Sequence, residues 1–178
     1  MNIGVDIDNT ITETSFIANA LAREFNGTLD YHDLNAEQMN EFLTRYLEKI
    51  VYDVKIKDGA INVLKKWHQL GYKIIFITAR GDEKTDSLVN LKTLYLTSMY
   101  FEKMKIPFDE LVFFKNSKVD TALKYNLNVF IDDKEEVLDD IKNANIKTLR
   151  VTNDKISKHK IVKNWFEIEN VIAEMGDK

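Results

Sequence analysis

Cysteine is absent from the 178-residue chain, which excludes disulfides, thiolate nucleophiles and sulfur-ligated zinc. Histidine is scarce: His32, His68 and His159 lie far apart in sequence. Proline occurs once and glycine six times, so no flexible Gly/Pro-rich linker announces itself. Long hydrophobic runs are also missing. The stretch 74–77 is among the longest, far short of the roughly 20 residues that span a bilayer. The first six residues show neither a basic start nor the apolar run of a signal peptide, and cytoplasm is the expected compartment. Positive charge is not in excess: 25 Lys and Arg stand against 29 Asp and Glu, a net charge of −4. Neither a nucleic-acid polymer nor an anionic membrane is therefore an expected partner. A negative protein that handles anions must concentrate cations locally or recruit a metal.

What is present has the balance of an ordinary globule, 44% hydrophobic and 30% charged. The length suits one domain with a real core and a small insertion. Short β-branched and aromatic runs at 3–5, 73–77, 111–114 and 128–131 read as strands covered on both faces, with 148–151 as a fifth. Helical spacing lies between them. Ala60, Ile61, Leu64 and Trp67 recur before Gly71; Leu88, Leu91, Tyr95 and Met99 follow, then Val119 with Leu123, then Val137, Leu138 and Ile141. Strand alternating with helix predicts a doubly wound, Rossmann-like parallel sheet, an α/β fold.

One region breaks the alternation. After the first strand come two helical patterns, Phe16, Ile17, Ala20, Leu21, Phe25 and then Met39, Phe42, Leu43, Tyr46, Leu47, Ile50. The turn Asn26-Gly27 separates them, and no strand intervenes until residue 73. The pattern predicts a helical insertion at 13–57 within a core made of 1–12 and 58–178.

Ligands of open α/β sheets bind at the carboxyl ends of the strands. Here the strands are followed by Asp6-Ile7-Asp8-Asn9-Thr10, by Thr78-Ala79-Arg80, by Lys115-Asn116-Ser117-Lys118, and by Asp132-Asp133. Each element alone has a bland explanation. Asp-x-Asp serves turns, and Asp133-x-x-Glu136 resembles a capping box. Four in order, each ending a predicted strand, point to one edge built for chemistry.

These residues resemble the four motifs of the haloacid dehalogenase superfamily. Asp6-Ile7-Asp8-Asn9-Thr10 is similar to DxDx(T/V), Thr78 to the second motif, Lys118 to the third and Asp132-Asp133 to the fourth. Asn9 stands where many members have Gly, and Asn also accepts left-handed backbone. Lys115 is a rival for the third motif. Lys118 is preferred because Ser117-Lys118-Val119-Asp120 has the form of a helix start.

The resemblance implies phosphate-monoester hydrolysis through an aspartyl phosphate. Asp6 would be the nucleophile and Asp8 the general acid and then base. Mg²⁺ is the implied cofactor, held by Asp6, the Asp8 carbonyl and Asp133, with Asp132 beside them; which of Asp132 and Asp133 is the direct ligand stays open. Lys118 would offset the charge on the nucleophile and on the phosphoryl oxygens. Thr78 would donate to the phosphoryl group, and Arg80 lies near enough to touch substrate. The 13–57 insertion would be a cap that shapes substrate choice. Its rings Phe16, Phe25, Tyr31, Phe42 and Tyr46 are candidates for stacking on a base, Tyr31 first among them.

Within the superfamily the chain looks most like the 5′(3′)-deoxyribonucleotidases and related bacterial nucleotidases. The implied partner is a small phosphorylated metabolite, a nucleoside or deoxynucleoside monophosphate, with a homodimer left open. The alternatives are a sugar-phosphate or other metabolite phosphatase, and a phosphate-binding interaction protein without turnover.

Overall fold

The computed structural model describes residues 1–81, 86–113 and 117–176. Six strands form one fully parallel sheet in the order β3-β2-β1-β4-β5-β6. They are β1 (Asn2–Val5), β2 (Lys73–Thr78), β3 (Glu110–Phe113), β4 (Val129–Asp132), β5 (Lys147–Val151) and β6 (Lys160–Val162). Val5 stands level with Phe76 of β2 and with Ile131 of β4. The residues that follow β1, β2 and β4 therefore emerge side by side. The direction of winding reverses between β1 and β4, which opens the crevice where such sheets bind ligands.

The strands read as apolar runs because both faces are covered. One face packs on α3 (Ala60–Gln69), α4 (Ser87–Lys103) and α7 (Trp165–Gly176) through Ile3, Val5, Leu64, Trp67, Phe76, Phe101 and Trp165. The other face packs on α5 (Lys118–Lys124) and α6 (Glu135–Asn143) through Ile75, Ile77, Ala122, Phe130, Leu138 and Ile141. Gly4 sits opposite Phe130, and a side chain there would collide with Phe130 and Leu127. Glycine at this point lets the central strands and their covering side chains close up.

Between β1 and α3 the chain forms α1 (Thr14–Asn26), a 3₁₀ turn (Tyr31–Asp33) and α2 (Ala36–Tyr52). Gly27 ends α1 in left-handed backbone, and Asn35 with Gln38 forms a reciprocal capping box on α2. Leu21, Ala22, Leu34, Phe42, Tyr46 and Ile50 make a hydrophobic cluster of their own. Leu47 and Val51 tie α2 to the main core. Where the chain leaves and re-enters the sheet, Thr12 bridges Ile56 in antiparallel fashion. Lys57 N–H also donates to the Ile11 carbonyl at 2.8 Å.

Several sequence expectations need correction. Helix α4 buries Val89, Thr93, Leu96, Thr97 and Tyr100, whereas Leu88, Leu91, Tyr95 and Met99 are exposed. The helix carries two apolar stripes, and the buried one includes threonines whose hydroxyls have partners: Thr93 donates to the Val89 carbonyl and Thr97 accepts from Arg80. Leu123 is exposed and Ala122 takes its place in the core. Phe16 is 81% exposed, while Phe25, Phe42 and Tyr46 pack on one another with ring centroids 5.4–6.5 Å apart. Those three rings pack as a core of their own, with Phe42 also lining the cavity described below. Asp133 and Glu136 do not form a capping box, since α6 starts from Lys134 without a side-chain cap. Strand β6 and helix α7 extend the fold beyond the elements that the sequence pattern predicts. Phe114, Lys115 and Asn116, including the rival third-motif lysine, lie outside the described residues.

Thr10 is fully buried, and among the described residues its hydroxyl has no hydrogen-bond partner. Its carbonyl is held by the Trp165 indole N–H at 3.1 Å, so the backbone stays in place whatever the side chain. Exchanging an unsatisfied buried hydroxyl for a methyl group removes a desolvation cost. Thr10→Val is therefore expected to raise stability by about 1 kcal/mol, read as a higher urea midpoint at unchanged slope. A lower midpoint would mean that the hydroxyl is satisfied.

Candidate active site

Asp6 continues β1, its N–H donating to the Ile131 carbonyl at 2.9 Å. The hydrogen-bonded ladder between β1 and β4 thus fixes the position of its carboxylate. Lys118 opens α5, as the capping pattern predicts: the Ser117 hydroxyl accepts from Val119 N–H at 3.0 Å. The ammonium of Lys118 reaches across to Asp6 Oδ1 at 2.5 Å and Asp132 Oδ2 at 2.7 Å. All three side chains are almost completely buried. Asp132 is further held by the Lys134 N–H at 2.9 Å.

Two carboxylates facing one ammonium leave negative charge in a dry setting. Burial pushes the Asp6 carboxyl up to about 7 against the pull of Lys118, and Asp132 and Asp8 add to the rise. Burial raises Asp132 as well, again against Lys118. Asp133 is half-buried and raised by desolvation and then by Asp6. Lys118 moves up despite its own burial, because Asp6 and Asp132 hold its proton.

Single carboxylate oxygens of Asp6, Asp132 and Asp133 lie within 4.8 Å of one another. An all-oxygen donor set with surplus negative charge fits a hard divalent cation such as Mg²⁺. Asp132 already spends one oxygen on Lys118 and the other on Lys134 N–H. Asp133 is the more available of the pair.

Asp8 faces a different environment. Arg80 grips it with two groups, Nε at 3.1 and 3.0 Å from the two oxygens and Nη2 at 2.7 Å from Oδ1. The Thr14 hydroxyl donates to the same Oδ1 at 2.6 Å. Burial pushes the Asp8 carboxyl up, but Arg80 and Thr14 outweigh it and hold Asp8 below the ordinary carboxylate value. Arg80 is in turn anchored by Nη1 to Thr97 Oγ1 of α4 at 3.2 Å. The two aspartates of the first motif are thereby driven apart: Asp6 upward, Asp8 downward. Divergent environments around paired carboxylates are a signature of divided chemical labour.

The motif loop is shaped by Asn9, the left-handed residue that the sequence allows, with φ 58°. Its side-chain oxygen accepts from Ser15 N–H at the start of α1. Thr78 ends β2 and is wholly buried, its oxygen accepting from Arg80 N–H at 3.2 Å. It sits behind the cavity wall formed by Ala79 and Arg80.

Asp6, Asp8, Arg80, Lys118, Asp132 and Asp133 open into a cavity of about 710 Å³ beneath α1 and α2. Tyr31 and His32 line it from the 3₁₀ turn, with ring centroids 4.0 Å apart. Burial, and then Asp8, raise the Tyr31 phenol, so it remains a hydrogen-bond donor. Of the residues the sequence singles out, Asp6, Asp8, Tyr31, Arg80, Lys118, Asp132 and Asp133 line this one cavity and Thr78 does not; Arg80 also bonds Asp8, a contact the sequence does not suggest. Sequence reasoning missed Thr14, Thr97 and His32.

The chain is similar to known proteins along most of its length. The family model described as PITM 1-3, LNS2 domain, matches residues 38–148, more than half of the chain. A nucleotidase from Clostridium acetobutylicum is 28% identical over all of this chain and 96% of its own length. Among solved structures, a predicted phosphatase from the same organism superimposes with a TM-score of 0.71 at 15% identity, covering 97% of this chain and 98% of the other. A haloacid dehalogenase-like hydrolase from Streptococcus pneumoniae gives 0.59 at 14% identity over 98% and 97%. At these identities the solved structures establish the fold.

Proposed function

The chain belongs to the PITM 1-3 LNS2-domain family and has the haloacid dehalogenase fold, and on that premise we propose that it is a Mg²⁺-dependent phosphohydrolase acting through an aspartyl phosphate. The observation that carries the reading is the opposed pair. Asp6 is locked to Lys118 beside Asp132 and Asp133, and Asp8 is gripped by Arg80, with both facing one cavity.

Asp6 attacks phosphorus, its oxygen forming the new P–O bond as the ester P–O bond breaks. Arg80 and Thr14 hold Asp8 ionised at rest, so it first takes up a proton from solvent and then delivers it to the departing alkoxide. In the second step Asp8 takes a proton from water as that water attacks phosphorus, and the aspartyl bond breaks. Lys118 stays on Asp6 throughout and offsets the negative charge that gathers on the phosphoryl oxygens. Thr78 acts as support and not by contact: it is wholly buried, and its oxygen accepts from the Arg80 N–H behind the cavity wall. Asp6, Asp133 and the Asp8 carbonyl would hold Mg²⁺, which neutralises the repulsion between a carboxylate and a dianion when bound. Residues 1–12 and 58–178 form the catalytic core in this reading, and 13–57 form the cap.

The substrate class we assign is a nucleoside or deoxynucleoside monophosphate. The relative named a nucleotidase supports it, as does the Tyr31–His32 ring pair lining the cavity. The compartment we assign is the cytoplasm, where such metabolites are held. No helix among the described residues is long and apolar enough to cross a membrane.

Phosphate release from a panel of 5′-nucleotides, deoxynucleotides and sugar phosphates tests the assignment. Base stacking contributes about 1 to 3 kcal/mol, so nucleotides should lead sugar phosphates by about tenfold or more in kcat/KM. Tyr31→Ala should erase that lead while sparing a small aryl phosphate. Sugar phosphates that match every nucleotide would defeat the substrate class and leave the mechanism standing.

Chelation should abolish turnover and Mg²⁺ should restore it. Binding of the ion requires the Asp6 proton to leave. With that carboxyl raised to about 7, apparent Mg²⁺ affinity should climb as pH rises towards and through 7, then level off. Calorimetric titrations across that range check the sign, and undiminished activity after thorough chelation would remove the metal.

A further inference from the structure

A second, smaller cavity of about 290 Å³ adjoins the active site at the same edge of the sheet. Asn9 and Asp133 line both cavities and form the wall between them. The remaining lining comes from Lys57, on the return from α2, from Arg150 to Asn153 at the end of β5, and from Lys163 just after β6. Three cations from separate parts of the chain thus line a pocket that Asp133 also lines, and its carboxylate is the one assigned above to Mg²⁺.

The cations are held in different ways. Arg150 is fixed: Nε donates to the Asp133 carbonyl at 3.2 Å, Nη1 to Glu135 at 2.8 Å and Nη2 to Asp154 at 3.0 Å. Lys57 is half-buried, and its ammonium donates to the Asn9 carbonyl. Among the described residues neither Lys57 nor Lys163 forms an ion pair. Lys163 is exposed, whereas burial works against the Lys57 charge and only the fields of Asp133 and Glu13 oppose it. The cavity is at the small end of ligand sites, with room for a compact oxyanion. The side-chain amides of Asn9 and Asn153 add neutral donors.

We propose that this pocket is a second oxyanion site, taking a phosphate group distinct from the one that reacts at Asp6. The occupant is either free orthophosphate or a second phosphate carried by the substrate. Both have the same chemistry, a compact multivalent oxyanion answering Lys57 and Lys163 beside the fixed guanidinium. The pocket goes beyond the hydrolytic reading and stands on its own geometry.

Backbone amide NMR of the full chain with Mg²⁺, titrated with orthophosphate, reads the two sites separately. Shifts at Thr152, Asn153 and Lys163 report the pocket; shifts at Arg80 and Asp6 report the active site. The proposal expects both sets to move, with different midpoints. Lys163→Glu should weaken the pocket set by about tenfold or more, equivalent to 1.4 kcal/mol, and leave the active-site set in place. Lys163→Gln should give a smaller loss, and it guards against an effect of new repulsion from Glu167. A kinetic arm separates the sources. If the substrate supplies the anion, a nucleoside 3′,5′-bisphosphate is preferred over the 5′-monophosphate by about tenfold, and Lys163→Glu erases the preference. Equal rates, with the orthophosphate shifts intact, assign the pocket to the free ion. A pocket set that stays still on titration, or that moves as in the wild type in both Lys163 variants, overturns the proposal. Because the shifts read binding alone, that outcome counts against the pocket whether or not any ester is turned over.

Discussion

Replacing Asp6 with Asn is expected to lower turnover by at least about 10³-fold, the scale on which loss of a covalent nucleophile is felt. A neutral amide cannot attack phosphorus, so no phosphorylated enzyme should form. The fold should survive. Asn keeps an oxygen that can accept from Lys118, in the place where Asp6 Oδ1 now lies 2.5 Å from the ammonium. It also removes a charge that the site resists. The Asp6 carboxyl is raised by burial to about 7, with Asp132 and Asp8 adding to the shift. An acid raised in the folded state costs stability progressively as pH climbs from its unfolded value towards the folded one. At neutral pH, Asp6→Asn should therefore melt no lower than the wild type. Two measurements check this together: acid-quenched labelling of the protein by a radioactive phosphate ester, and a thermal melt. Labelling that persists in correctly folded Asp6→Asn protein would end the covalent mechanism.

The parts of this molecule that the sequence disclosed are those where one residue type does one local job. The five apolar runs became β1 to β5 within a residue or so at each end, because a strand covered on both faces has little freedom in composition. The four motifs surfaced together because a parallel sheet delivers consecutive strand ends to one edge. What stayed hidden depends on contacts between distant elements. Strand β6 has only three residues, too few for a pattern. Helix α7 did carry a readable one, Trp165, Ile168, Val171 and Ile172, all of them buried. The face of α4 could not be chosen from hydropathy, since the buried stripe includes Thr93 and Thr97 and the exposed one is richer in Leu. Burial of Thr97 makes sense only once Arg80 is seen to need an acceptor there. The contact of Arg80 with Asp8 spans 72 positions in sequence, and nothing local distinguishes it from a contact with substrate.

That contact sets up the last expectation. Asp8→Asn should slow hydrolysis of an alkyl phosphate by roughly 10²- to 10⁴-fold, the usual worth of a positioned acid or base. In the resting site Arg80 and Thr14 hold Asp8 ionised, which suits it to take a proton from water in the second step. To serve as acid in the first step it must first take up a proton from solvent, so that step depends on how much help the leaving group needs. An alkoxide needs a proton as it departs, whereas an activated aryl oxide does not. Asp8→Asn should therefore spare the burst of aryl oxide release while leaving the phosphorylated enzyme to accumulate, because breakdown of the aspartyl phosphate still lacks its base. Stability must be tracked alongside. Arg80 is only 8% exposed, and Asn offers it a neutral oxygen in place of a carboxylate. Losing the charge-assisted part of the interaction should cost about 2 kcal/mol, less than for a sealed pair because Asp8 is 28% exposed. A destabilised fold would depress both substrates alike. Loss of acid–base chemistry instead separates them and traps the intermediate. Equal loss in the phosphorylation step for alkyl and aryl esters, with no accumulation of labelled protein, would take the acid–base role away from Asp8.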